Sequence, residues 1–309
     1  MPESCFVKPI SSADFQAAKA LWKVCFPEDS DEFINYYFAK RIDPKRILGL
    51  YVNGELVSML CVRIRETSFC GEHRRIGFIA GVCTLPEYRR RGYVRQLLDR
   101  ANLMLAFKGV FASMLQPFSF DFYRKLGYET LAERRVIEIT KDTLFFTDCP
   151  ADGTHLDRIH IPAAYEIRDI YAKFMNGRTL APIRTLSDCS ILLEEYALYP
   201  GVSACNGRAY ALGYRSDDRI ELDEFAYSDV DAALGLLTSL IRGSGKLLVP
   251  LSKDETAFLD GTDFACRQGK VDGFNMIRVS DKRFFYGLPV KNVSELREIK
   301  PAPYSFDKY

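Results

Sequence analysis

The residues best suited to chemistry lie in one stretch, Val82-Cys83-Thr84-Leu85-Pro86-Glu87-Tyr88-Arg89-Arg90-Arg91-Gly92-Tyr93-Val94-Arg95. An apolar strand ends near Leu85, a short loop follows, and a long helix starts around Gly92. Val94, Leu97, Leu98, Ala101 and Leu105 fall at its apolar positions. The first N–H groups of a helix have no intrahelical partner and carry the positive end of its dipole, so they suit a phosphate or pyrophosphate. Gly92 lets the main chain approach an anion closely, and Arg89, Arg90 and Arg91 surround that position with positive charge.

Other reactive side chains organise less. Nine cysteines are scattered along the chain without a C-x-x-C pair, and their odd number fits free thiols of a reducing, cytoplasmic setting. Cys83 invites a nucleophile role, but no histidine follows it at a telling position. His155 and His160 lie five apart in a polar stretch with no further ligands at a suitable spacing, so no metal site is expected. Phosphate-loop, nucleophile-elbow and dinucleotide-fold glycine signatures are missing from the sequence.

The 309 residues have room for about two domains. With 42 basic against 41 acidic side chains, the balance argues against a dedicated nucleic-acid binder. The chain starts without a signal-peptide pattern, and no apolar run approaches the roughly 20 residues that span a bilayer. A strand over 6–9 leads to a helix carrying Phe15, Ala18, Leu21, Trp22 and Cys25. Pro27 breaks it, and Asp29-Ser30-Asp31 opens a second helix. Asn53-Gly54 marks a hairpin between strands over 47–52 and 56–65. A strand over 74–85, the helix after Gly92, a strand over 110–115, a short helix over 119–126 and a strand over 131–140 complete a unit at 1–141.

A linker is expected over 142–162 and a second unit over 163–285. That unit has helices over 163–175 and 187–196, strands over 202–205 and 209–214 about the turn Asn206-Gly207, and a strand over 219–227. A helix over 229–242, a strand over 246–251 and a final strand pair over 263–279 follow. The order of elements matches the first half and reads as a diverged duplication. Residues 286–309 read as a tail without its own core. The fold class is α/β (α+β): a mixed central sheet flanked by helices, followed by a second, degenerate copy.

The segment Arg89-Arg90-Arg91-Gly92-Tyr93-Val94 resembles the cofactor loop of the GNAT acyltransferases, Gln/Arg-x-x-Gly-x-Gly/Ala, with Val94 replacing the usual small last residue. Phe122-Tyr123-Arg124-Lys125-Leu126-Gly127-Tyr128 resembles the segment after the fifth strand of the same family. The larger residue at 94 and the second half are similar to the enhanced intracellular survival (Eis) branch without its sterol-carrier-like domain. The resemblance is strong over residues 1 to about 140 and weaker beyond.

This resemblance implies acetyl-CoA as cosubstrate, its pantetheine arm lying in a gap between the fourth and fifth strands. Main-chain groups of Val82, Cys83 and Thr84 would bond the arm from one side, with Phe118 and Ser119 on the other. The loop from Arg89 through Arg90, Arg91, Gly92, Tyr93 and Val94 to Arg95 would hold the pyrophosphate. Tyr123 stands where the family places its general acid. Asp29 and Glu32 lie in the region that walls the acceptor pocket and would attract a cationic amine. The implied function is an N-acetyltransferase acting on a primary amine of a small molecule or peptide. A GNAT-derived sensor of acyl-CoA and a scaffold, with the chain as a homo-oligomer, stay open beside it. The base and the acceptor are not legible.

Overall fold

The computed structural model describes residues 4–140, 159–255, 267–301, 303 and 304. They divide into two compact units: 4–131 with 274–298, and 132–140, 159–255 and 267–273 with 299–301, 303 and 304.

The first unit runs β1 (Cys5–Pro9), α1 (Phe15–Cys25), α2 (Asp31–Lys40), β2 (Ile47–Val52), β3 (Glu55–Phe69), β4 (Glu72–Thr84), α3 (Tyr93–Phe107), β5 (Ala112–Leu115) and α4 (Phe120–Arg124). Strands β1 to β5 lie in chain order, antiparallel up to β4. β5 joins parallel to β4, because α3 carries the chain back across the sheet. Asn53 (φ 49°) and Gly54 (φ 88°) form the expected two-residue hairpin turn. Cys70 (φ 53°) and Gly71 (φ 82°) form another, so β3 and β4 run on to Phe69 and back from Glu72, past the limits expected at 65 and 74. The extension is polar, which hid it from a hydrophobic pattern. α3 packs Leu97, Leu98, Ala101 and Leu105 against Leu48, Leu50, Leu60, Val62 and Ile79. Trp22 of α1 packs on Tyr37 and Phe38 of α2 with ring centroids 5.0 and 5.5 Å away.

The second unit contains α5 (Ala164–Met175), β7 (Ala181–Pro182), α6 (Leu186–Ala197), β8 (Gly201–Cys205), β9 (Ala209–Arg215), β10 (Arg219–Tyr227), α7 (Val230–Arg242) and β11 (Lys246–Ser252), together with 132–140 of β6 (Glu129–Thr140) and 267–273 of β12 (Arg267–Val279). Its strand order is β6-β11-β10-β9-β8, with β10 and β11 parallel. Ile167, Ile170 and Phe174 of α5 and Leu236, Leu237 and Ile241 of α7 share its core with Leu212, Phe225, Leu247 and Val249. The order of the first half recurs here: two helices, a hairpin, a strand, a helix and a strand.

Two strands depart from the reading by pattern. The strand expected to close the first unit, β6, pairs antiparallel with β11 from Arg134↔Ser252 to Thr140↔Lys246. The end of β12 takes the place beside β5, from Met276↔Leu115 to Val279↔Ala112. The repeats have thus exchanged their last strands. Any apolar strand satisfies an open sheet edge, so sequence adjacency does not dictate the partner. The strand pair expected over 263–279 is the single strand β12, with 263–266 outside the described residues. Most of the linker expected over 142–162 also lies outside them.

Residues 286–298 belong to the first unit and carry α8 (Val293–Arg297), whose Val293 and Leu296 are buried. Tyr304 is buried in the second unit and donates to the carbonyl of Pro250 at 3.2 Å. Among the described residues no helix is long and apolar enough to cross a membrane.

Candidate active site

The site begins with a β-bulge. Met59 pairs with Cys83 but Cys61 with Ala80, so Gly81 and Val82 stand opposite the single residue between. Gly81 takes φ +56°, a left-handed conformation that favours glycine. Past the bulge, the β3 side of β4 is locked. The Ser58 hydroxyl bonds the Cys83 carbonyl at 2.7 Å and the Thr84 hydroxyl at 2.7 Å, and Leu85 N–H donates to Val57 at 2.9 Å.

On its other side β4 meets β5 at only two positions, Gly77↔Ser113 and Phe78↔Met114. Beyond them the parallel strands separate, and β4 from Ile79 to Thr84 has no strand partner on that edge among the described residues. The opening between the strand ends exposes main-chain polar groups to whatever enters it. Val82 is half-buried, whereas Cys83 and Thr84 are buried. The Thr84 carbonyl also accepts from Cys25 Sγ at 3.4 Å and from Arg89 Nε at 3.1 Å. A carbonyl has two lone pairs, so these two bonds orient the strand end and take up the Thr84 acceptor.

Cys83 is no free nucleophile. Burial pushes its thiol well above the ordinary range, and Cys25 of α1 touches it. Cys25 moves the other way. A hydrogen bond from Cys83, opposed by burial and reinforced by Arg89, brings its thiol down to about 7.

The loop after β4 makes one 3-10 turn over Pro86–Tyr88, and Gly92 then caps α3. Arg90 (φ 65°) and Gly92 (φ 80°) are both left-handed, and no side chain caps the helix. A Cβ at Gly92 would meet nothing within 4 Å, so this end of α3 is open. Arg89, Arg90, Arg91 and Arg95 gather at it, while the first turn holds no acidic residue. Cations at the positive end of a helix are unfavourable by themselves, and an anion bound there would offset both. Three of the arginines are positioned by carbonyls: Arg89 by Thr84, Arg91 by Glu87 at 3.4 Å, and Arg95 by Lys125 at 2.9 Å. Arg90 makes no hydrogen bond or ion pair among the described residues. Tyr93 is buried and Val94 packs toward the core, so the residue that departs from the small-residue pattern does not obstruct the opening.

Across the gap, Ser119 caps α4 by accepting from Phe122 N–H at 3.3 Å, and Phe118 is exposed. The Tyr123 ring is buried among Phe118, Phe122 and Tyr128, with centroids 5.6, 5.1 and 5.9 Å away. Burial, with a smaller effect of Tyr128, pushes its phenol above the ordinary tyrosine range and keeps it protonated at neutral pH. Its hydroxyl has no hydrogen-bond partner among the described residues. Tyr128, by contrast, is tied to Ser113 at 2.8 Å.

Asp29 lies between α1 and α2, half-buried, and accepts from Trp22 Nε1 at 2.7 Å. Burial raises its carboxyl above the ordinary range despite that bond. Ser30, not Asp29, caps α2. Glu32 is exposed on the first turn of α2. Ser58, Cys25 and Trp22 were missed in the sequence, because their roles come from nonlocal pairings.

The second unit builds the same frame and seals it. β10 and β11 pair only from Arg219↔Lys246 to Glu221↔Leu248 before separating. At the start of α7, however, Asp229 caps the helix, accepting from Ala232 N–H at 2.8 Å, and pairs with Arg208 at 3.1 Å. The chain's own carboxylate neutralises that helix end.

Comparison with known proteins bears on the fold. Residues 7–131 match the acetyltransferase (GNAT) domain family. No curated protein matches the chain. A probable N-acyltransferase of unknown function from Enterococcus faecalis V583 superposes with TM-score 0.73 at 19% identity, over 91% of this chain and 74% of its own. A GCN5-related N-acetyltransferase from Kribbella flavida gives 0.72 at 18%, over 90% and 71%. Eis1 from Mycobacterium abscessus gives 0.69 at 16%, over 90% and 74%. At these identities the likeness is one of fold.

Proposed function

We propose, from the match of residues 7–131 to the acetyltransferase (GNAT) domain family, that this chain transfers an acetyl group directly from acetyl-CoA to a primary amine. The observation that carries the reading is the open, arginine-rich start of α3 beside the gap between β4 and β5. The main chain of Val82, Cys83 and Thr84 bonds the pantetheine arm along the free edge of β4, with Phe118 and Ser119 opposite. Arg89, Arg90, Arg91 and Arg95, with the N–H groups of Gly92, Tyr93 and Val94, hold the pyrophosphate.

Acetyl-CoA supplies an activated acyl group as a thioester. The amine nitrogen bonds the acyl carbon as the carbon–sulfur bond breaks, and the sulfur leaves with the electron pair. Tyr123 serves as general acid, donating its hydroxyl proton to that sulfur. Its raised pKa keeps the proton in place until negative charge develops. Asp29 and Glu32 draw the cationic amine toward the site; its nitrogen loses one proton to a base or to water before attack and a second after the carbon–nitrogen bond forms, and a proton from solvent restores Tyr123.

Release of free CoA thiol from acetyl-CoA, followed with a panel of polyamines, aminoglycosides, lysine and N-terminal peptides, tests the reading. We expect amine-dependent release that falls at least about tenfold in Tyr123→Phe. Equal activity in both proteins makes Tyr123 structural. Tight acetyl-CoA binding without release for any amine favours a sensor.

A further inference from the structure

The second unit contains a cluster that the acetyltransferase reading does not use. An isolated antiparallel bridge joins His160 to Cys205: His160 N–H donates to the Cys205 carbonyl at 2.9 Å, and Cys205 N–H returns the bond at 2.9 Å. Residues paired in this way present their side chains on the same face. Glu166, in the first turn of α5, reaches the same place, its Oε1 lying 2.9 Å from His160 Nε2. One donor atom from each of the three residues lies within 4.8 Å of the others.

We propose that His160, Glu166 and Cys205 form a binding site for one zinc-class divalent cation, with water completing a tetrahedral shell. A thiolate, an imidazole nitrogen and a carboxylate oxygen are the donors zinc takes, and three protein ligands with one open position is a common zinc arrangement. The sulfur excludes calcium and magnesium, which take oxygen ligands.

The surroundings of the donors carry the assignment further. Metal ligands are usually oriented by hydrogen bonds from a surrounding shell, and two such contacts are already present. Gly207 N–H donates to Cys205 Sγ at 3.2 Å, from a tight loop that Asn206 Oδ1 closes by accepting from Arg208 and Ala209. The second Glu166 oxygen is held by Ala163 N–H at 2.8 Å, leaving Oε1 aimed at the cluster. Exposure grades from buried Cys205 through Glu166 to exposed His160, so the cation enters and keeps its water on the histidine side. A thiol that ligates the cation gives up its proton to solvent as the sulfur–metal bond forms.

The full chain, stripped with a chelator, is titrated with zinc against a chromophoric competitor, and in parallel with cobalt(II) for its thiolate charge-transfer band. One equivalent binds with Kd below about 1 µM, and magnesium does not compete. His160→Gln, an exposed change, weakens zinc at least about tenfold. Cys205→Ser abolishes the cobalt–thiolate band, whereas Cys5→Ser leaves both readouts unchanged. Should Cys205→Ser fail to fold, His160→Gln decides alone. Absence of a saturable site in the wild type, or wild-type zinc affinity in His160→Gln, overturns the proposal. Neither readout depends on acetyl transfer.

Discussion

Trp22 of α1 lies so close over Gly81 of β4 that a Cβ built at position 81 would sit 2.3 Å from Trp22 Cζ3. The same indole donates to Asp29 at 2.7 Å, so one side chain joins the β4 bulge to the loop before α2. The bulge lies within the part of β4 beyond its last pair with β5, Phe78↔Met114, and this contact therefore helps to hold that strand end in place.

Gly81→Ala tests that role. The left-handed backbone costs a residue with a Cβ about 1–2 kcal/mol, and the clash with the indole adds about 1–3 kcal/mol of overpacking. Urea unfolding is expected to show the combined loss. Acetyl-CoA affinity is expected to fall as well, because the indole has no room to yield without moving β4.

The two helix starts predict opposite responses. Asp229→Ala removes the cap of α7 and is expected to cost about 0.5–2 kcal/mol of stability, read by chemical denaturation. Acetyl-CoA binding in that variant stays at the wild-type level, since α7 holds its own carboxylate.

Cys25 and Cys83 are expected to differ in reactivity. A thiol brought down to about 7 is mostly thiolate above that pH. Alkylation of Cys25, mapped by mass spectrometry, should rise through about pH 7, below the ordinary thiol value of about 8.5. Cys83, whose thiol burial pushes the other way, stays unmodified across the same range. Acetyl-CoA slows the Cys25 reaction, because Arg89 beside it is drawn to the phosphates.

Much of this was legible locally. The Asn53-Gly54 and Asn206-Gly207 turns, the apolar stripe of α3 and the change from strand to helix around Gly92 each rest on a few adjacent residues, and the structure follows them. The arginine cluster was visible for the same reason. The nonlocal relationships were hidden: Ser58 locking Cys83 and Thr84, Trp22 over Gly81, and the exchange of β6 and β12. Their partners lie from 25 to more than 100 residues away in sequence, and no period or spacing encodes which edge a strand joins. The meeting of His160, Glu166 and Cys205 was hidden too, since His160 finds Cys205 through a bridge rather than a motif.

The central claim is that the start of α3 takes the pyrophosphate of acetyl-CoA, and calorimetric titration of acetyl-CoA into wild type and Arg90→Ala tests it most directly. Arg90 has no partner among the described residues, so its removal leaves the melting temperature unchanged. Losing one charge-assisted hydrogen bond, about 1.5–3 kcal/mol, weakens binding roughly 10- to 150-fold. One molecule bound per wild-type chain, with that loss in the variant, is the predicted result. No binding by the wild type, or equal binding by a chain lacking both Arg90 and Arg91, contradicts the account.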